Sequence, residues 1–113
     1  MTDCADLPQW VTGDTKPDIN ARIPLLDQDG AVTGGYANLT GASVRFQMRR
    51  EDDISFAVDE AATVVDPPNG QVRYSWSATD LVVPAVYDTQ WEVTYADLSI
   101  QTTRVAQICV RQQ

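Results

Sequence analysis

Paired carboxylates are the first residues in this chain that could do chemistry. Asp52-Asp53 and Asp59-Glu60 could supply the two acids of glycoside hydrolysis, if two of them faced each other across a cleft. Both pairs lie beside polar turns, so the sequence favours solvated surface acids. Asp27-x-Asp29-Gly30 opens like a calcium loop, but the third acid and the later bidentate glutamate are missing. A tight turn accounts for the same stretch: aspartate accepts from its own backbone and glycine supplies positive φ. Trp76 and Trp91 could stack on sugar rings, yet their phase puts them with Val72, Tyr74, Tyr87 and Val93 on the apolar side of their strands. Asn38-Leu39-Thr40 fits a glycosylation sequon, which is empty without secretion. There is no histidine, so the commonest general base and the commonest transition-metal ligand are missing. Cys4 and Cys109 give no zinc spacing. With no secretory signal visible, the default reading is two reduced thiols; a bridge would need the first and last strands side by side. No catalytic residue, cofactor or metal is expected.

The elements that hold these residues read as strands. From Gly70 to Tyr95 two period-two runs flank a proline-bearing link. Val72, Tyr74 and Trp76 alternate with Arg73, Ser75 and Ser77. Tyr87, Thr89, Trp91, Val93 and Tyr95 alternate with Asp88, Gln90, Glu92 and Thr94. Successive side chains on a strand point to opposite faces, so each run has an aromatic face to bury against a second sheet. Ser43 to Arg50 alternates as cleanly, with Val44, Phe46 and Met48 inward and Arg45, Gln47 and Arg49 outward. Ile19 to Leu26 predicts one strand carrying Ile19, Ala21, Ile23 and Leu25 on one face, with an edge or bulge at Pro24. Gly34-Gly35 and Gly41 punctuate an expected loop. Phe56 to Val65 is a weaker strand, and Asp66-Pro67-Pro68-Asn69-Gly70 is the strongest hairpin signal. Ser99 to Val105 and Ile108 to Val110 supply the last strand or two. The expectation is an all-β, antiparallel sandwich of six to eight strands.

Two sections are expected: an arm over residues 1–16, laid on a domain over residues 17–113. Trp10 lies outside any periodic run, so Trp10, with Pro8 and Val11, is the candidate partner contact. The chain of 113 residues has a formal charge of −8, from 16 acids against 8 bases. An acidic chain releases no phosphate counterions and is repelled by anionic lipid, so neither nucleic acid nor membrane is an expected partner. Arg49-Arg50 and Arg104 are expected surface partners for the surplus acids.

The order of these motifs is similar to the immunoglobulin-like amino-terminal domain of tailed-phage baseplate upper proteins. Gly13-Asp14-Thr15 precedes the first strand; Asp27 to Gly30 forms a turn; Leu39-Thr40-Gly41-Ala42-Ser43-Val44-Arg45-Phe46 leads into the second long strand. Asp66, Gly70 and Val72-Arg73-Tyr74 follow, then Asp80 and Pro84-Ala85-Val86-Tyr87 leading to Trp91. The departures are Ala85, where glycine is usual, and Asp97-Leu98, where an Asp-Gly turn is. The chain also lacks the long carboxyl-terminal extension that carries receptor-binding partners. The resemblance implies an immunoglobulin-like sandwich and a non-enzymatic structural part of a tailed-phage virion: a tail, baseplate or neck adaptor. Its partners would be other virion proteins, in a homo-oligomer or symmetric array, assembled in the host cytoplasm. The alternatives are a capsid decoration protein and a carbohydrate-binding module. The Ala85-x-Tyr87 spacing before an aromatic strand further predicts a tyrosine corner, with the Tyr87 hydroxyl on backbone of the preceding loop.

Overall fold

The computed structural model of the protein describes residue 4 and residues 7–27 and 29–112, without the side chains of residues 104–106. Its strands are β1 (Gln9–Val11), β2 (Ile19–Arg22), β3 (Pro24–Leu26), β4 (Val32–Tyr36), β5 (Ser43–Arg50), β6 (Val58–Ala61), β7 (Thr63–Asp66), β8 (Gln71–Tyr74), β9 (Ala85–Thr94) and β10 (Ile100–Arg111). One sheet has the order β1-β10-β9-β5-β6 and a second β2-β8-β7; β3 and β4 form a separate hairpin. All pairings are antiparallel except β1 on β10, which is parallel. This is the expected all-β sandwich, with ten strands among the described residues where six to eight were expected.

The alternating runs behave as their phase dictates. Phe46, Met48, Val72, Tyr74, Trp76, Tyr87, Trp91 and Val93 are all buried in one cluster. Phe46 is its centre, with ring centroids 4.8 Å from Tyr74, 5.4 Å from Trp76 and 4.9 Å from Trp91. Burial of such rings supplies most of the driving force that closes the two sheets. Strand β8 ends at Tyr74, two residues short of Trp76, yet the Trp76 indole stays inside.

Three expectations are corrected. The single strand over Ile19 to Leu26 divides at Ile23, whose N–H donates to Gly70 O while its carbonyl accepts from Ala37 N, each at 2.8 Å. Pro24 cannot donate, so the chain leaves the second sheet there and pairs with β4 instead. Leu25 consequently ends 47% exposed instead of lining the core with Ile23. The expected loop at Gly34-Gly35 lies within β4. The expected free thiols form a disulfide, Cys4–Cys109, with Cα atoms 5.6 Å apart. Parallel pairing of β1 with β10 brings Gln9 opposite Cys109 and so returns the start of the chain to its last strand.

The turns follow side-chain chemistry. Asp27 Oδ1 accepts from the N–H groups of Asp29 and Ala31, each at 2.9 Å, which accounts for Asp27 as the turn-forming acid; Gln28 lies outside the described residues. Asp80 ties the crossing from β8 to β9, accepting from the Tyr74 hydroxyl at 2.6 Å and Ser77 N–H at 2.8 Å. Burial, then the Asp80 carboxylate, pushes the Tyr74 hydroxyl far above its ordinary pKa.

Tyr87 forms the expected corner, its hydroxyl donating to Val83 O at 2.7 Å. Tyr87→Phe keeps the ring and orphans that carbonyl, so urea titration should show a loss of about 1 kcal/mol. An unchanged midpoint would count against the bond.

At the β9–β10 turn Leu98 occupies the left-handed region, φ 71°, where an Asp-Gly pair would place glycine. Its side chain is 80% exposed, so it gains nothing from packing that would offset the strain. Leu98→Gly should therefore raise the unfolding free energy by about 1 kcal/mol, read as a higher denaturation midpoint.

Candidate interaction surface

Residues 1–16, expected as an arm, include an edge strand of the larger sheet; Met1–Asp3, Ala5 and Asp6 lie outside the described residues. Trp10 points inward and is 7% exposed. Its ring meets Trp76 edge-on at 5.5 Å, and both indole N–H groups donate to Pro17 O, at 2.9 and 3.0 Å. One carbonyl thus satisfies two buried donors and ties the strand to the residues just ahead of β2. Pro8 and Trp10 share a cleft of about 360 Å³ with Pro17, Asp18, Ile19 and Ile108. Val11 lies outside that cleft, half-buried, its N–H on Asp14 Oδ2 at 2.9 Å. Of the three candidate contacts only Pro8 is exposed.

Apolar exposure gathers elsewhere, at the two ends of the sandwich. Arg50 pairs with Tyr87, so the β5–β6 and β8–β9 connections share one end, with Ile54 (89% exposed), Phe56, Val82 and Val83. The β9–β10 turn lies at the other end, with Leu98 and Ile100. There Gln101 Nε2 reaches Pro24 O at 3.3 Å, bringing up the β3–β4 hairpin with Leu25, Val32 and Tyr36. The glycine-broken pattern of β4 concealed that hairpin in the sequence.

The carboxylates expected as surface acids do stand at the surface. Asp59 is held below the usual carboxylate range by Arg45, whose Nε donates to it at 2.8 Å, and by the Gln47 amide. Gln47, expected outward, does face away from the aromatic core but is buried, its Oε1 accepting from Gln90 Nε2 at 2.7 Å. Arg50 lies 3.5 Å from Asp52; the Arg104 side chain lies outside the described residues. Among the described residues no group of three or more His, Cys, Asp or Glu could hold a metal ion. Trp76 and Trp91 are buried, so neither offers a platform for a sugar ring.

The family model of the BppU N-terminal domain matches residues 32–112, well over half of the chain. The chain belongs to that family. It is therefore a phage baseplate-type domain. Among solved structures it is similar to the N-terminal domain of phage TP901-1 ORF48, at 17% identity and a TM-score of 0.67, covering 93% of this chain and 84% of that one. At that identity the likeness establishes a common fold. No curated protein matches the chain. The match begins at β4, so the Trp10 anchor and the Cys4 half of the disulfide precede the family's matched stretch.

Proposed function

We propose that this BppU-type domain is a non-enzymatic structural component of a tailed-phage virion, in tail, baseplate or neck, working through repeated contacts with other virion proteins. The family membership carries the reading, and the apolar side chains at both ends of the sandwich supply the contact surface such a part needs. Assembly takes place in the host cytoplasm, in a symmetric array. The edge strand β1 adds a second contact: Trp10 anchors it from beneath while Pro8 and the half-exposed Val11 meet the partner.

Deleting the first twelve residues would remove the Trp10 anchor, so point charges are the cleaner test. The double variant Pro8→Asp, Val11→Asp should keep a cooperative melt and be lost from purified particles, as read by mass spectrometry. Normal incorporation of the variant removes β1 from the contact. Absence of the unmodified protein from purified particles overturns the structural reading itself.

A further inference from the structure

Cys4 and Cys109 are unlike in access. Cys109 lies on β10 between Gln9 of β1 and Val86 of β9 and is 2% exposed, whereas Cys4 is half-buried. Neither belongs to the packed hydrophobic cluster. Strand β1 has its own attachments: the Trp10 indole, Cys109 N–H on Pro8 O at 2.9 Å, and Thr12 N–H on Arg111 O at 2.8 Å. Ahead of Pro8 the described residues are Cys4 and Leu7. Cys4 O accepts from Leu7 N–H at 3.2 Å and Gln9 Nε2 at 2.7 Å, and the bridge joins this turn to β10. The bridge also walls a groove of about 480 Å³ between Val86, Val110, Arg50 and Arg111.

We propose that Cys4–Cys109 is a reversible thiol–disulfide staple, closed and opened from the Cys4 side by small disulfides and thiols of the glutathione kind, which fixes or frees Cys4 and Leu7 ahead of β1 while the sandwich stays folded. In closing, the Cys4 thiolate attacks one sulfur of the small disulfide and expels a thiolate. The Cys109 thiolate then attacks the Cys4 sulfur of that mixed disulfide and expels the second. Two protein thiols and one small disulfide become one protein disulfide and two small thiols, which take up the two protons. Opening runs in reverse, with attack at the accessible Cys4 sulfur and Cys109 leaving. Given the proposed function, the staple stands open during assembly in a reducing cytoplasm and closes after release. That placement rests on the virion reading; the chemistry does not.

The test uses the purified full chain equilibrated in glutathione buffers of stepped potential, trapped by alkylation and weighed by mass spectrometry. A single two-thiol transition is expected. The reduced protein should keep its sheet circular dichroism and a cooperative melt, with Tm lower by roughly 10–20 °C. Hydrogen exchange at Leu7 should quicken at least tenfold, with Phe46 and Trp91 remaining strongly protected. Cys109→Ser should take one glutathione on Cys4, at least tenfold faster than Cys4→Ser takes it on Cys109. Loss of the cooperative melt on reduction, no thiol conversion at any potential, or equal uptake by both variants overturns the staple. None of these outcomes depends on whether the protein is found in particles.

Discussion

Gly70→Ala should destabilise the protein by about 2–5 kcal/mol, close to the whole stability of a marginal domain. Gly70 ends the short 3₁₀ turn Pro67–Asn69 in the left-handed region, φ 68°, which an L side chain enters at a cost. A methyl there would also lie 2.8 Å from Ala37 O and 2.9 Å from Ile23 O. Both oxygens are backbone, so neither can swing aside as a side-chain tip would. Relief would require moving the Ile23 carbonyl, which accepts from Ala37 N, or the chain around Ala37. Gly30 carries φ 83° with nothing near its Cβ position, so Gly30→Ala should cost only the backbone part, about 1–2 kcal/mol. Equal losses in urea titrations of the two variants would show that the close approach at Gly70 is not what matters.

Trp91→Ala should cost about 3–5 kcal/mol by the same measurement. The ring is fully buried between the sheets against Phe46, and its removal leaves a hole that the surrounding strands cannot collapse to fill. Its Nε1 hydrogen finds no acceptor among the described residues. Trp91→Phe therefore deletes an unsatisfied donor along with part of the ring, and its loss should be well under half that of the alanine variant. A phenylalanine variant as unstable as the alanine one would place a hidden partner on the indole nitrogen.

Much of this architecture was legible because burial on one face of a strand imposes a period of two. Ser43 to Arg50 became β5 with the same limits, and the rings of Tyr74, Trp76 and Trp91 lie where their phase put them. What escaped depends on contacts distant in sequence. Nothing local tells that Ile23 hands its backbone to Gly70 and Ala37, so the break before Pro24 read as one edge strand. Strand β4 carries two glycines and an almost wholly exposed pattern, leaving no periodicity to detect. Trp10 stands in three residues of strand, too short for a period, and its slot is built by Pro17 and Trp76. The disulfide was hidden for the same reason: compartment argues about thiols in general, whereas the parallel β1–β10 pairing decides this pair. Gln47 shows a subtler failure, since outward from the core still meant buried once Gln90 and Asp59 closed over it.

The pairing of Gln9–Val11 with Cys109–Arg111 also has a consequence in time. The β9–β10 hairpin can form as soon as its own residues are available, because its partners adjoin in sequence. Strand β1 leaves the ribosome well before β10, its ladder partner among the described residues. At about 5–20 residues per second it waits on the order of 5–20 s with no edge to join and the Trp10 indole in water. Strand β1 is thus made long before the strand that seats it, and a nascent chain stalled before Ile108 should expose Trp10 however well its other strands have paired.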